Sequence, residues 1–429
     1  MMRREITINE IKERTELNYN RLETAEFYQI DRVFSPMDYD WYGDLEGRSL
    51  LAFVSHYKIS GKKIPCMEQM MSLMPSKLNE KGYIGLIFEE VIHEQQLSGH
   101  SWLLRGLCEH YEQFEDKFSY ETIKNIVENL YLPLTGKIHT YPVDRSGENN
   151  GGVSGSSADI INGWHLSSDI GCVFMSIDGL SHAYKITKDE RIKALLDEMI
   201  CTYTEIDKAR LEAQTHCTLT SARGMLRMFD MTGEKAYLED AIKIYELYVN
   251  GGGMTYTYQN LNWWNRPKSW SEPCAIVDSL MVATELYKIT GDEKYRTTAA
   301  RIYHNGFASM QRSNGCAGPD KLVCDGSENA YLSVSMYDAW FCCSMRLAEG
   351  LWYLTNNYEL LYAEYDGTII KNENGIYTDG DLIYCGLEED MLKYADEVAE
   401  IDGIKLCPIV KMWRVPDADA KAIKMQIIF

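Results

Sequence analysis

A short phrase recurs along the chain, in which an aromatic residue near the end of an amphipathic helix is followed by a polar turn and a second helix. The clearest copies are Ala183–Glu190, Met228–Tyr237 and Leu286–Tyr295, and His56–Lys63 is a weaker one. Glycine in the turn supplies the left-handed residue that commonly ends a helix, and the acidic residue beside it suits the start of the next helix. Each copy therefore predicts a helical hairpin.

Repeated hairpins can stack as an open solenoid or close into an α/α ring. The ring is favoured because long polar and glycine-rich stretches, such as 145–157 and 250–271, separate the hairpins and are typical of loops at the mouth of a toroid. After about Tyr362, short alternating segments between Asn, Asp and Gly residues predict strands. We therefore predict a mainly α fold, an (α/α)6 barrel over residues 1–360, with a short β-rich region over residues 361–429.

Composition narrows the partners of this chain of 429 residues. A formal charge of −21 disfavours nucleic acid and anionic membrane surfaces, which need clustered Lys and Arg. No export signal or membrane span is visible, so the 12 cysteines are expected to be thiols or metal ligands in a reducing, cytoplasmic setting. The 9 Trp and 29 Tyr residues suit a neutral sugar, although most of them are expected in the core. The oligomeric state is left open.

Two separated segments carry a notable set of metal-binding side chains. Glu272 and Cys274 lie close together, and the adjacent pair Cys342 and Cys343 follows much later in the chain. Three thiolates and one carboxylate oxygen can complete a tetrahedral zinc site. Adjacent cysteines rarely bond to each other, because the ring that they would form is strained, so an external partner explains the pair better. The competing interpretation is that these are ordinary buried thiols.

These segments resemble the Glu-x-Cys and Cys-Cys motifs of glycoside hydrolase family 127, the bacterial β-L-arabinofuranosidases. Three further stretches match in order. His93–His100 resembles the family's HELYxxGH helix, Gly82–Ile84 resembles its GYL turn, and Gln214–Thr220 resembles its HANT segment. The similarity runs collinearly over roughly Tyr42 to Asn356, and it makes zinc the favoured interpretation of the cysteines.

The resemblance implies a retaining, exo-acting glycosidase that releases an L-arabinofuranose-like sugar from an oligosaccharide or small glycoside. Cys342 would be the nucleophile, while His93 and His216 would bind the hydroxyl groups of the sugar. The zinc ligands that it implies are Glu272, Cys274, Cys342 and Cys343.

The match breaks at the group that should act as general acid and base. In the family this is a glutamate about 16 residues before the zinc-binding glutamate, and counting back from Glu272 reaches Tyr256. Retaining hydrolysis needs such a group, so Tyr256 or Glu328 is expected to supply it. The family's GHPEIE segment has no clear counterpart, and Trp164 and His165 lie near its place as substitute substrate-binding residues.

Two other functions remain open. One is a catalytically altered relative in which zinc is structural and the protein binds a glycan or a protein partner, a hypothesis that the missing glutamate supports. The other is a sugar epimerase on the same α/α barrel, which the supply of histidine and tyrosine would permit. The short C-terminal region also lacks the β-sandwich material that family members usually carry.

Overall fold

A computed structural model describes seven stretches of the chain, namely residues 1–35, 41–143, 157–267, 269–323, 331–373, 375–386 and 398–409. They fall into two compact units, which are described separately. The first comprises Met1–Thr24, Gly252–Asn262 and Arg266–Phe429, and the second comprises Ala25–Gly251 and Trp263–Asn265. Among these stretches, no helix has the length and apolar character needed to cross a lipid bilayer.

Helices provide most of the regular structure. The helices are α1 (Ile8–Thr24), α2 (Ile30–Val33), α3 (Asp44–Ser60), α4 (Pro65–Leu73), α5 (Glu94–Phe114), α6 (Lys117–Ile126), α7 (Ser176–Thr187), α8 (Glu190–Glu205), α9 (Lys208–Leu211), α10 (Thr215–Thr232), α11 (Lys235–Asn250), α12 (Pro273–Thr290), α13 (Glu293–Ile302), α14 (Ala308–Met310) and α15 (Cys343–Thr355). The strands are β1 (Met2–Arg4), β2 (Ile92–His93), β3 (Ser157–Ile161), β4 (Trp164–Ser167), β5 (Asp320–Val323), β6 (Tyr331–Val334), β7 (Ala363–Tyr365), β8 (Ile370–Lys371), β9 (Tyr377–Asp379), β10 (Leu382–Gly386), β11 (Ala399–Ile401) and β12 (Ile404–Pro408).

The turns of the recurring phrase form as predicted. Helices α3, α10 and α12 end at Gly61, Gly233 and Gly291, whose φ angles are 65°, 72° and 70°. In the copy without glycine, Lys188 takes the same left-handed conformation after α7, with φ 54°. Asp189 then begins α8, because its side chain accepts the backbone N–H of the second helical residue. The predicted helical hairpins are thus confirmed.

In the second unit, successive hairpins pack side by side. Helix α3 packs on α4, α5 on α6, α7 on α8 and α10 on α11, while the first helices of the hairpins pack in the order α3, α5, α7, α10. Glycine permits the closest of these contacts. A Cβ atom on Gly47 would lie 2.2 Å from the backbone of Trp102, and one on Gly106 would lie 2.6 Å from the carbonyl oxygen of Gly47. Helices α3 and α5 can therefore approach backbone to backbone.

In the first unit, α12 forms a hairpin with α13 and also packs against α15, which in turn packs against α1. A fully buried ion pair joins the two central helices, because the guanidinium of Arg346 on α15 contacts the carboxylate of Asp278 on α12. Glu349, one turn further along α15, contacts the same guanidinium. These charges hold the helices that carry the cysteine motifs in a fixed register.

Strands are present after Tyr362, as predicted. Strand β7 pairs with β1 in a two-stranded sheet, whereas β8 to β12 belong to a larger sheet. Strand order in this sheet is β11-β12-β10-β6-β5, and β9 pairs with both β10 and β8. Strands β5 and β6 precede the cysteine pair in sequence, and β6 pairs in parallel with β10 through Tyr331 and Gly386. Sequence patterning does not anticipate this participation. The division at residue 360 stays a prediction.

Candidate metal centre

The four predicted zinc ligands lie together at the beginnings of two helices. Glu272 is the N-cap residue of α12 and Cys274 is its second residue, while Cys342 is the N-cap residue of α15 and Cys343 is its first. One ligand atom from each of these buried residues lies within 4.8 Å of all the others. Proline at the first position of α12 suits this start, because that position needs no N–H donor.

One of the two separations between the thiols matches that expected around a tetrahedral zinc ion, and the other is shorter. The sulfurs of Cys274 and Cys343 are 3.8 Å apart, and those of Cys342 and Cys343 are 3.3 Å apart. Zinc–sulfur bonds of about 2.3 Å in a tetrahedron place neighbouring sulfurs about 3.8 Å apart. Three soft sulfurs with one carboxylate oxygen also match the donor preference of zinc. The residues present therefore fit a zinc ion.

Burial of the cluster favours the protonated form of its three thiols. Burial raises the pKa of the Cys274, Cys342 and Cys343 thiols well above its ordinary range, and the negative charge of Glu272 also raises it. Three neutral thiols in such a place are poor nucleophiles. The N-termini of α12 and α15 favour thiolates through their unpaired N–H groups and dipoles, and a divalent cation would complete the charge balance.

Accessibility separates one thiol from the other two. The side chains of Cys274 and Cys343 are 0% and 1% exposed, whereas Cys342 is 7% exposed. Glu272 is 8% exposed. Cys342 is therefore the most exposed of the three cysteines, although it is buried by the same measure.

The Glu272 turn is held by a neighbouring loop and strand. The backbone N–H of Glu272 donates to Oδ1 of Asn260 at 3.0 Å, and the hydroxyl of Ser271 donates to the carbonyl oxygen of Asn260 at 2.8 Å. Ser271 also forms an antiparallel bridge with Asp320, whose carboxylate pairs with the buried guanidinium of Arg312 at 2.6 Å. The carboxylate ligand therefore sits on a rigid support.

The Cys342–Cys343 turn has a separate support. Ser344 accepts the N–H of Ala317 through its hydroxyl at 2.9 Å and lies 2.8 Å from Oδ1 of Asp338. Asp338 is paired with Arg21 on α1 at 2.6 Å. The side-chain amide of Asn18, also on α1, donates to the carbonyl oxygen of Ser344 at 2.9 Å. The N-terminal helix thus fixes the first turn of α15.

In the second unit, two of the predicted sugar-binding residues meet. His93 and His165 are paired residues of the parallel strands β2 and β4, and their rings contact edge to face with centroids 4.5 Å apart. His93 also stacks on Phe88, with centroids 4.4 Å apart. Nδ1 of His93 accepts the N–H of Gln96 at 3.3 Å, so the neutral ring carries its proton on Nε2. His93, Phe88 and Gln96 line a cavity of about 590 Å³.

The remaining two predicted sugar-binding residues of this unit are buried. His216 lies in the first turn of α10 and stacks on Trp102 with centroids 5.7 Å apart, and the guanidinium of Arg48 covers Trp102 at 4.0 Å. Trp164 is fully buried, and its indole N–H donates to the hydroxyl of Thr140 at 3.0 Å. Trp164 is therefore placed in the core beside β2, and its role in substrate binding stays a prediction.

Tyr256 and Glu328 are the two candidates for the general acid and base. Tyr256 stands in a tight loop that is closed by a bridge between Met254 and Asn260, and its side chain is 56% exposed. The base of this loop is Asn260, the residue that contacts the backbone of Glu272. Glu328 lies outside the described residues.

Asn18, Asn260 and Ser344 are among the supporting residues of the site that were not predicted from sequence. Asn18 is separated from Ser344 by 326 residues. No local motif marks such a contact, since only the packing of α1 on α15 creates it.

Comparisons with solved structures agree with this architecture. A GH127 β-arabinofuranosidase aligns with a TM-score of 0.56 and 12% identity, over 90% of this chain and 66% of its own. Cellobiose 2-epimerase from Bacillus thermoamylovorans aligns with a TM-score of 0.53 and 12% identity, over 81% of this chain and 98% of its own. The fold class is the α/α barrel.

A second GH127 enzyme, the β-L-arabinofuranosidase of Geobacillus stearothermophilus T6, gives a TM-score of 0.50 and 12% identity, over 90% of this chain and 71% of its own. The chain thus spans about two-thirds of the length of the GH127 enzymes it matches. The resemblance seen in the motifs is confirmed at the level of this α/α-barrel fold, with its small C-terminal β region. No protein-family model matches the sequence, and no curated protein matches it.

Proposed function

We propose that the protein is a retaining glycoside hydrolase that uses Cys342 as its nucleophile within a zinc site. The observation that carries this proposal is the convergence of Glu272, Cys274, Cys342 and Cys343 within 4.8 Å. Many α/α-barrel sugar enzymes could share the fold, but a sugar epimerase has no need for three converging thiols. The metal cluster therefore favours hydrolysis through a cysteine.

The geometry supports Cys342 as the attacking group. It is the most accessible of the three thiols, and it stands at the N-terminus of α15, where backbone N–H groups stabilise a thiolate. A bound zinc ion would keep the cysteines deprotonated at neutral pH, against the effect of burial. Cys274 and Cys343, which are almost fully buried, would serve as ligands only.

The reaction would proceed in two displacements. In the first, Cys342 Sγ bonds to the anomeric carbon while the bond from that carbon to the leaving oxygen breaks, and an acid protonates this oxygen. In the second, water loses a proton to the same group and displaces the sulfur, which returns the thiolate and releases the sugar with its original configuration. Tyr256 and Glu328 are the two candidates for the proton-transfer group, and of these only Tyr256 lies among the residues that the structure describes.

The substrate is proposed to be a terminal L-arabinofuranose-like residue on an oligosaccharide or small glycoside. The Nε2–H of His93 can donate to a sugar hydroxyl, with His165 and Phe88 fixing the ring. His216 is held on Trp102 and is proposed to bind another hydroxyl. The cytoplasm remains the proposed location, so the substrate would be imported before cleavage.

A sugar epimerase is the second candidate. Its support is the match to cellobiose 2-epimerase over 98% of that enzyme, together with the histidine pair of the second unit. A binding protein with a structural metal is a third, supported by the absence of a carboxylate at position 256.

One experiment distinguishes the three functions. The purified protein is incubated with a panel of nitrophenyl glycosides that includes β-L-arabinofuranoside, and separately with reducing disaccharides, and the products are followed by NMR. Hydrolysis with retention of the anomeric configuration supports the proposal. Epimerisation without hydrolysis supports the second candidate, and binding without turnover supports the third.

A further inference from the structure

We propose that Asn18 and Asn260, two buried asparagines outside the ligand set, are positioning residues that preorganise the metal centre. The inference deepens the proposed function and rests on its metal site. The metal centre has two halves, each at the start of one helix. Asn18 supports the Cys342–Cys343 turn, and Asn260 supports the Glu272–Cys274 turn.

Asn18 ties three segments together from the N-terminal helix. Its side-chain nitrogen donates to the carbonyl oxygen of Ser344 at 2.9 Å and to that of Gly315 at 3.0 Å. Ser344 directly follows the cysteine pair, and the loop around Gly315 packs so closely that an added Cβ would lie 2.0 Å from the carbonyl oxygen of Leu17. The amide of Asn18 therefore sets where α15 begins.

Asn260 acts on the other helix through its oxygen atoms. Oδ1 accepts the backbone N–H of Glu272, the N-cap residue of α12, and the backbone carbonyl accepts the hydroxyl of Ser271. Asn260 thus holds the ligand-bearing turn by both its side chain and its main chain. The loop that it closes also carries Tyr256, so one residue links a metal ligand to the proposed proton-transfer group.

The side-chain amides of Asn18 and Asn260 use different atoms to contact the ligand-bearing turns: Asn18 donates through its nitrogen, and Asn260 accepts through its oxygen. Asn18 faces carbonyl oxygens, which only accept, so it must present its NH2 group. Asn260 presents its oxygen to the backbone N–H of Glu272, which only donates, while its NH2 group donates to the carbonyl oxygen of the adjacent Leu261 at 3.2 Å. Replacement by aspartate keeps the oxygen and removes the donors. At position 260 aspartate keeps the contact with the N–H of Glu272 and loses the local contact with Leu261, whereas at position 18 it loses the contacts with both carbonyl oxygens. The substitution should therefore weaken zinc binding less at position 260 than at position 18.

Supporting residues of this kind matter because metal ligands need fixed orientations. Loss of an outer hydrogen bond typically weakens metal affinity about 10- to 100-fold. We expect losses in this range for Asn18→Ala, Asn18→Asp and Asn260→Ala, whereas Asn260→Asp should lose less affinity than any of these three variants. The affinity is measured by competition for Zn²⁺ with a chromophoric chelator.

Two further measurements separate positioning from general stability. The visible absorption spectrum of the Co²⁺-loaded protein reports ligand geometry, and it should change in the three weakened variants. The rise in melting temperature on adding Zn²⁺ should also shrink, because a ligand stabilises the folded state according to its affinity. A purely structural role would lower the melting temperatures of the metal-free and metal-bound proteins equally.

Asn305 provides the matched control. It is buried, and its side-chain nitrogen donates to the carbonyl oxygens of Arg301 and Asp381 at 3.0 and 2.8 Å, as that of Asn18 does elsewhere. Asn305→Ala should therefore lower both melting temperatures while leaving Zn²⁺ affinity and the Co²⁺ spectrum unchanged.

The outcomes are distinguishable from failure of the proposed function. If the wild type binds metal and Asn18→Ala and Asn260→Ala bind it with unchanged affinity and spectrum, the positioning role is wrong. Equal responses to aspartate at positions 18 and 260 would also overturn it. If the wild type binds neither Zn²⁺ nor Co²⁺, the proposed function itself fails at its metal site.

Discussion

The sulfur atoms of Cys274 and Cys343 lie 3.8 Å apart although 69 positions separate the residues in the chain. Each stands in the first turn of its own helix, so the contact depends on how α12 and α15 pack. A pair of helix beginnings gives a thiolate cluster both convergence and a favourable dipole field. The proposed zinc site and cysteine nucleophile depend on this packing of α12 against α15.

The first prediction concerns the proposed nucleophile. Cys342→Ser should reduce glycosidase turnover by at least about a thousandfold, since a serine hydroxyl at this position lacks the reactivity of a metal-bound thiolate. Steady-state kinetics with the best substrate of the panel measure this loss. Cys201→Ser changes an exposed cysteine and should leave turnover unchanged. An active Cys342→Ser enzyme would refute the nucleophile assignment.

The second prediction concerns metal removal. Dialysis against a strong chelator should lower the melting temperature, and stoichiometric Zn²⁺ should restore it, because a ligand that binds only the folded state stabilises it. Binding at 100 to 1,000 times the dissociation constant contributes about 3–4 kcal/mol. Differential scanning calorimetry of both forms checks this. Identical unfolding profiles with and without Zn²⁺ would contradict a folding-linked metal site.

The third prediction concerns the buried charges between the two ligand-bearing helices. Arg346→Leu leaves Asp278 and Glu349 without their shared cation in a place closed to water. The free energy of unfolding should fall by about 3–5 kcal/mol, as is usual when one partner of a buried pair is removed. Chemical denaturation measures the change.

An exposed ion pair is the control for this loss. Lys124 and Glu121 are about half exposed, so Glu121→Ala should change the free energy of unfolding by less than about 1 kcal/mol. A similar small effect of Arg346→Leu would show that the buried pair does not hold the helices.

The fourth prediction concerns pH. Burial lowers the pKa of His100 to about 4, from an ordinary value near 6.5, while its ring accepts the N–H of Ile84 and contacts the carbonyl oxygen of Gln96. The folded protein therefore keeps His100 neutral, while the unfolded chain takes up a proton below about pH 6.5. Stability from this group is complete above pH 6.5 and is lost as the pH falls towards 4.

Replacing the histidine should remove this dependence. His100→Gln should be less stable at pH 7 and should lose stability less steeply between pH 6.5 and 4, by up to about 1.4 kcal/mol per pH unit. Urea unfolding at several pH values measures the slope. His139→Gln alters an exposed side chain and should keep the wild-type slope. An unchanged slope in His100→Gln would show that this ring does not contribute.

Much of the fold could be predicted because its signals are local. The glycine turn at Gly233 and the acidic start at Asp189 depend on neighbouring residues, and both form as expected. Lys188 takes the left-handed conformation at the end of α7, so the same turn forms where glycine is absent. The participation of β5 and β6 in the C-terminal sheet could not be predicted, because it depends on a parallel contact between Tyr331 and Gly386.

In the candidate site, the ligand residues could be predicted from the sequence, but the residues that orient them could not. The residue types of Glu272 and the three cysteines permit a metal site, and the resemblance of their motifs to glycoside hydrolase family 127 makes zinc the favoured interpretation. The hydrogen bonds that orient them are not visible. Asn18 and Asn260 reach the ligand turns from distant segments, and their role emerges only when the packing is known.

The most direct test of the central claim is the metal content of the purified protein, measured by mass spectrometry for the wild type and for Cys274→Ala. The proposed zinc site predicts about one zinc per chain in the wild type and a large loss in the variant, because Cys274 is a buried ligand with no catalytic part. A metal-free wild type, or equal zinc content in both proteins, would contradict it.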